Sequence, residues 1–89
     1  MNDIAVSEQQ TWGQETPLRD HINYALECYF KALGHDSPVN LYHMLLEQVE
    51  LPLLEKVMIY VKHNQSKAAK VLGLSRGTLR TKLKTYGML

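Results

Sequence analysis

Acidic residues stop at Glu55 in this chain of 89, and residues 56–89 contain none. Cysteine is nearly missing as well. The single Cys28 has no partner for an intrachain disulfide, which excludes a disulfide-stapled scaffold and suits a reducing compartment. It reads as a small apolar helix residue rather than a reactive thiol. No stretch approaches the roughly 20 apolar residues of a membrane span, so no membrane partner is expected. The opening MNDIAVSEQQ lacks the basic and long apolar regions of a signal peptide, so a cytoplasmic protein is expected. No glycine-rich phosphate loop or nucleophile motif appears, and His21, His35 and His63 are scattered. Only His43 and Glu47, at i and i+4, could offer two metal ligands from one helix face, and packed or surface roles account for them better. No enzyme, metal or cofactor is expected.

What is present divides sharply by charge. The net charge of +1 conceals it. Residues 1–55 carry Arg19 and Lys31 against all nine acids, 2 − 9 = −7. Residues 56–89 carry the other eight of the ten bases, +8. Such a split in so short a chain points to one end that faces a polyanion and another that is structural. Apolar residues form 45% of the sequence, enough for a globular domain rather than a disordered one. A chain of this length buries a modest share of its surface, and a subunit partner would help it.

Helical periodicity organises residues 17–89. Residues 1–16 are polar, with an IAV segment and Trp12 as the apolar exceptions, and read as a flexible N-terminal tail. "TPLRD" is a helix start, with Thr16 as N-cap and Pro17 at the first helical position. Leu18, Ile22, Ala25, Leu26, Tyr29 and Leu33 follow at helical spacing, and Gly34 is a stop. After the loop HDSPVN, Asn40 can cap a second helix reaching about Lys62. Its later part, LPLLEKVMIYV, is apolar nearly all round and so requires burial on several sides. Four helices cannot surround it alone, which predicts a dimer core with Leu53, Leu54, Val57, Met58 and Val61 at the subunit interface. Pro52 lacks the N–H that would reach the Gln48 carbonyl, so a kink is expected there, a loop being the alternative. Residues 17–62 thus form a dimerisation segment.

The third helix runs from about Gln65 to Leu72 and the fourth from about Arg76 to Thr85. Ala69, four residues before Gly73, lets the two approach closely. Gly73 allows the positive φ of a tight interhelical turn. Leu72, Leu74 and Leu79 fill the angle between them. Residues 63–89 therefore read as a helix-turn-helix, whose second helix enters the DNA major groove. At 100° per residue, Leu79, Leu83 and Tyr86 face inward. Arg76, Arg80 and Lys84 form one shoulder; Thr78, Lys82 and Thr85 form the other. Gly77 and Thr81 point directly away from the core, as close approach to a groove floor requires. Ser75 is placed to cap this helix and to leave its amides facing a phosphate.

"PLRD", "LYHMLLEQVELPLL" and "NQSKAAKVLGLSRGTLRTKLKTYGM" resemble the Fis family of bacterial nucleoid-associated proteins. The resemblance covers residues 17–89. It implies an all-α subunit of four helices, intertwined with a second copy through the first two, and a helix-turn-helix at each end of the dimer. It also implies binding and bending of degenerate palindromic duplex DNA, global transcription regulation in the nucleoid, and RNA polymerase or a site-specific recombinase as further partners. By position, Arg76 matches the guanine-reading arginine, while Asn64, Ser66, Thr78, Arg80, Lys82 and Lys84 match backbone-contacting positions. Lys67, beside Ser66, is assigned to the same interface. Ser75 stands where asparagine is frequent, Thr81 and Thr85 where lysines are usual, and His63 where glycine is usual in the turn that touches polymerase. The tail is shorter than the family's recombinase-contacting arm. These departures predict weaker base readout at Ser75, a lighter phosphate grip, and less secure polymerase and recombinase contacts. Two other readings stay open: a detached helix-turn-helix domain of a nitrogen-regulatory-type enhancer-binding activator, which the N-terminal Met disfavours, and a helical dimerisation module that binds no DNA.

Overall fold

The computed structural model describes residues 17–89; the tail assignment and the Thr16 cap lie outside them. Four α-helices follow in order, α1 (Leu18–Leu33), α2 (Leu41–Tyr60), α3 (Gln65–Leu72) and α4 (Arg76–Thr85), with no strand among the described residues. The described residues divide into two compact units, 17–39 and 40–89.

In the first unit, α1 starts one residue later than the sequence implies. Pro17 is its N-cap rather than its first helical residue, and the Pro17 carbonyl accepts from the Asp20 amide at 2.9 Å. The periodicity holds for four of the six expected residues: Ile22, Leu26, Tyr29 and Leu33 are half-buried on one face, while Leu18 and Ala25 are exposed, as are Tyr24 and Phe30. Tyr29 and Phe30 meet edge to face, with ring centroids 5.8 Å apart. Gly34, at φ 64°, ends the helix and donates to the Lys31 carbonyl.

In the second unit, α2 runs unbroken through Pro52, so no loop divides it. Its start corrects the sequence reading. Asn40 makes no side-chain cap but adopts the left-handed conformation, φ 57° and ψ 34°, which asparagine tolerates better than most residues. Leu54 and Met58 of α2 with its C-cap Val61, Ala68 and Ala69 of α3, and Leu79 and Leu83 of α4 form one buried cluster, with Val57, Leu72, Tyr86 and Met88 packed against it. Three residues assigned to a subunit interface are therefore buried within one subunit. The physical reason is that α3 and α4 cover the face on which Leu54, Met58 and Val61 recur. Leu53, by contrast, stays 45% exposed. It belongs to a second apolar stripe of α2, made by Tyr42, Leu46, Val49, Leu53 and Tyr60, all exposed. At 100° per residue these five fall within a narrow sector distinct from the buried face.

The last three helices end in the same device. The amide one residue past the C-cap bonds back three residues and the next amide bonds back five, the pattern of a Schellman motif. At α3 these bonds are Gly73 to Lys70 and Leu74 to Ala69; at α4, Gly87 to Lys84 and Met88 to Leu83. At α2 they are Lys62 to Ile59 and His63 to Met58. Glycine holds the left-handed position in α3 and α4, but Lys62 holds it in α2 at φ 55°, followed by His63 at φ 65°.

Candidate nucleic-acid interface

Each helix of the C-terminal pair is started by a side chain. Asn64 Oδ1 accepts from the Lys67 amide at 3.0 Å, capping α3. Ser75 Oγ accepts from the Thr78 amide at 3.1 Å and donates to Thr78 Oγ1 at 2.9 Å, capping α4 as its position implied. A cap of this kind contributes about 1 kcal/mol. Asn64 and Ser75 thus set where the helices begin, and Thr78 is drawn into the second cap. Gly73, at φ 73°, makes the turn between them, and Ala69 is buried.

Packing then decides which side of α4 is turned outward. Leu79 and Leu83 are fully buried, so the opposite face points outward. Gly77 lies on that face with no protein atom within 4 Å of where a Cβ would stand. Thr81 shares the face and donates its hydroxyl to the Gly77 carbonyl at 3.1 Å; Thr85 does the same to Thr81 at 2.9 Å. Both hydroxyls are turned back on their own helix. The outward face is therefore small and flat.

The cations around it differ. The side chains of Arg76 and Lys84 are exposed and make no hydrogen bond or ion pair with another described residue. The same holds for Lys67 and Lys70 on α3. Ser66, beside Lys67, is exposed as well. Arg80 donates from Nη1 to Gln65 Oε1 at 2.8 Å, which aims the guanidinium and leaves its charge intact. Lys82 is turned the other way. Its Nζ lies 2.8 Å from Glu50 Oε2 on α2, and Tyr86 Oη donates to Glu50 Oε1, also at 2.8 Å. The Lys82 and Tyr86 hydrogen bonds hold the Glu50 carboxyl below its usual range, and the same carboxylate pushes the Tyr86 phenol up to about 12.

Sequence reading therefore located Arg76, Arg80 and Lys84 on one shoulder but missed Glu50, Gln65 and Tyr86 as partners of the interface. Sequence separations of 32 for Glu50–Lys82 and 15 for Gln65–Arg80 leave no local pattern to find. Among the described residues no group of three or more His, Cys, Asp or Glu could hold a metal ion. No described helix is long and apolar enough to cross a membrane.

Two short helices joined by a glycine turn, the second with a small outward face flanked by exposed cations, define a helix-turn-helix protein. Comparison with known proteins narrows the class. The profile described as "Bacterial regulatory protein, Fis family" matches residues 45–86. The chain is 44% identical to "DNA-binding protein Fis" of Haemophilus ducreyi, over 98% of this chain and 91% of the relative. It is 49% identical to the protein of the same name from Mannheimia haemolytica, with the same coverage, and 45% identical to that of Proteus mirabilis over 96% and 87%. The chain belongs to the Fis family, a family of regulators rather than enzymes.

Proposed function

We propose that this chain binds and bends duplex DNA as a homodimer, acting in the nucleoid as a sequence-tolerant transcription regulator. The outward face of α4 carries the reading: Gly77 stands open with the exposed cations Arg76 and Lys84 on one side. Small residues at the nearest point let a helix reach the groove floor, and long cations beside it reach phosphates and guanine edges. The names of the relatives favour DNA as the polyanion. Their match over nearly their full length favours a Fis-type subunit over the terminal domain of an enhancer-binding activator.

The second copy docks on α2. The exposed stripe Tyr42, Leu46, Val49, Leu53 and Tyr60 is too regular and too apolar to be left in water. Leu53 and Val57 are kept in the interface, while Leu54, Met58 and Val61 support it from beneath. Recognition helices closer together than one DNA turn, about 34 Å, fit successive major grooves only if the duplex bends. Degenerate palindromes follow from the two-fold symmetry and from few base contacts. Contacts with RNA polymerase or a recombinase are a further part of this reading, and the former would use the Lys62–His63 turn.

Within α4, Arg76 reads and Lys84 grips. Arg76 opens the helix, where base edges are met, and arginine pairs bidentately with guanine. The test compares Arg76→Ala and Lys84→Ala on a preferred duplex selected from random sequence and on unselected duplex. Arg76→Ala is expected to cost about 1–3 kcal/mol on the preferred site and much less on the other. Lys84→Ala is expected to weaken both equally. No binding by the wild type to either duplex would reject the function; equal losses for Arg76→Ala would reject only the base-reading role.

A further inference from the structure

The strongest feature outside the groove-facing surface is the Glu50 carboxylate, which uses both of its oxygens to reach across from α2 to α4. Lys82 on α4 and Tyr86, its C-cap, stand at i and i+4 and so present their ends on one face, one turn apart. Each meets a different oxygen of Glu50 at 2.8 Å. The Glu50 side chain is 18% exposed and that of Lys82 is 32% exposed. A carboxylate so placed cannot lose its cation without being left poorly solvated and uncompensated. Both contacts involve an ionised group, which makes them stronger than neutral hydrogen bonds.

We propose that Glu50 is a positioning residue of the DNA interface: it fixes the roll of α4 and withdraws Lys82 from the cations that neutralise phosphate. The inference rests on the DNA-binding function proposed above. Leu79 and Leu83 give α4 its adhesion, but apolar contact is non-directional and tolerates rotation about the helix axis. A carboxylate that bridges two side chains does not. With a helix radius of about 5 Å including side chains and about 2.3 Å at Cα, a 20° roll would carry the Arg76 side chain about 2 Å sideways in the groove and the Gly77 backbone about 0.8 Å. The charge consequence is separate. Position alone counts Lys82 with Arg80 and Lys84, yet its ammonium already has a fixed anionic partner at hydrogen-bond distance. On the same stretch of α2, His43 and Glu47 pair with each other at 2.9 Å and act on Glu50 and Tyr86 only through charge.

The experiment measures binding of the full chain to an unselected duplex across a salt series, for the wild type, Lys82→Met, Lys84→Met, Glu50→Gln and the Glu50→Gln/Lys82→Met pair. Methionine keeps an unbranched stem while removing the charge. Lys84→Met should make the log–log salt slope shallower by about one unit per lost contact. Lys82→Met should leave the slope within roughly 0.3 of the wild type, because no counterion release depends on it. Glu50→Gln should steepen the slope by freeing Lys82, and adding Lys82→Met should cancel that gain. Without DNA, the Tyr86 phenol should titrate near 12 in the wild type and return towards its ordinary 10.0 in Glu50→Gln, read from its ring carbon resonances. If Lys82→Met flattens the slope as much as Lys84→Met does, Lys82 grips phosphate and the proposal is overturned while DNA binding stands. A Tyr86 phenol unchanged by Glu50→Gln overturns the tie itself. Should Glu50→Gln fail to fold, the comparison of the two lysine variants still decides. A wild type that binds no duplex defeats both the proposal and the function beneath it.

Discussion

Gly77→Ala should move folding and DNA binding in opposite directions. Gly77 is the second residue of α4, its φ is not positive, and a Cβ built there meets nothing within 4 Å. The subunit therefore has no need of glycine at this position. In a helix, glycine is less favourable than alanine by about 0.8–1 kcal/mol, and near the first turn roughly half of that to all of it should be recovered. For a domain of this size that corresponds to a rise in melting temperature of about 2–8 °C, measured at fixed protein concentration because a dimer's melt depends on it. In the groove the same methyl points at the duplex. If the backbone of α4 sits as close as the small outward face implies, the overpacking should cost about 1–3 kcal/mol of binding, five-fold to more than a hundred-fold in affinity. Circular dichroism melts and duplex titration on the same protein read both effects. A variant that melts higher and binds as tightly as the wild type would refute close approach at Gly77. One that melts lower would refute the open space around it.

Lys62→Gly should raise the melting temperature, because Lys62 holds the left-handed Schellman position at φ 55° where glycine relieves about 1 kcal/mol of strain; an unchanged melt would mean the turn carries no such strain. Leu53→Glu should convert the proposed dimer to monomer in sedimentation while preserving helical circular dichroism, since Leu53 is 45% exposed in the single subunit and the buried cluster does not include it. The Glu50 tie should impose a pH window on stability. Glu50 titrates below its usual 4.5 in the folded chain, so its contribution is complete above that value and is lost as pH falls through the lowered pKa. Tyr86 is raised from 10.0 to about 12, so its contribution is complete below 10.0 and is lost as pH rises towards 12. Urea melts of the wild type and Glu50→Gln should therefore converge at both extremes, and a gap independent of pH would contradict the tie.

The C-terminal helices were legible because their signals are local. Ser75 caps three residues ahead, Gly73 marks the turn, and Leu79 and Leu83 repeat at one helical turn, so each could be placed from a few neighbours. The second helix was harder. A helix that is apolar nearly all round offers no phase from which to say which face meets which neighbour. Leu54, Met58 and Val61 were accordingly assigned to a second subunit, when α3 and α4 of the same chain cover them. Asn40 shows a different limit: capping and left-handed turning are both things asparagine does at a helix start, and only the backbone distinguishes them. The Glu50, Gln65 and Tyr86 contacts depend on how α2, α3 and α4 cross, which no spacing in the sequence encodes.

The same crossings change what the charge split means. Counting along the chain gives residues 56–89 a charge of +8, as though every base there were offered to a polyanion. Two ties between helices treat their cations differently. Gln65 is neutral, so its bond to Arg80 costs the guanidinium one N–H of five and none of its charge. Arg80 is aimed and remains available. Glu50 carries a negative charge, and its bond to Lys82 cancels locally the cation it holds. The acidic half of the sequence thus reaches into the basic half through α2, and the proposed dimer would offer a polyanion two fewer cations than its sequence suggests. If roughly eight phosphates would be neutralised with both Lys82 side chains free, about six remain, and the expected slope of log K against log salt moves from near −7 to near −5. A measured slope near −7 would return Lys82 to the phosphate backbone.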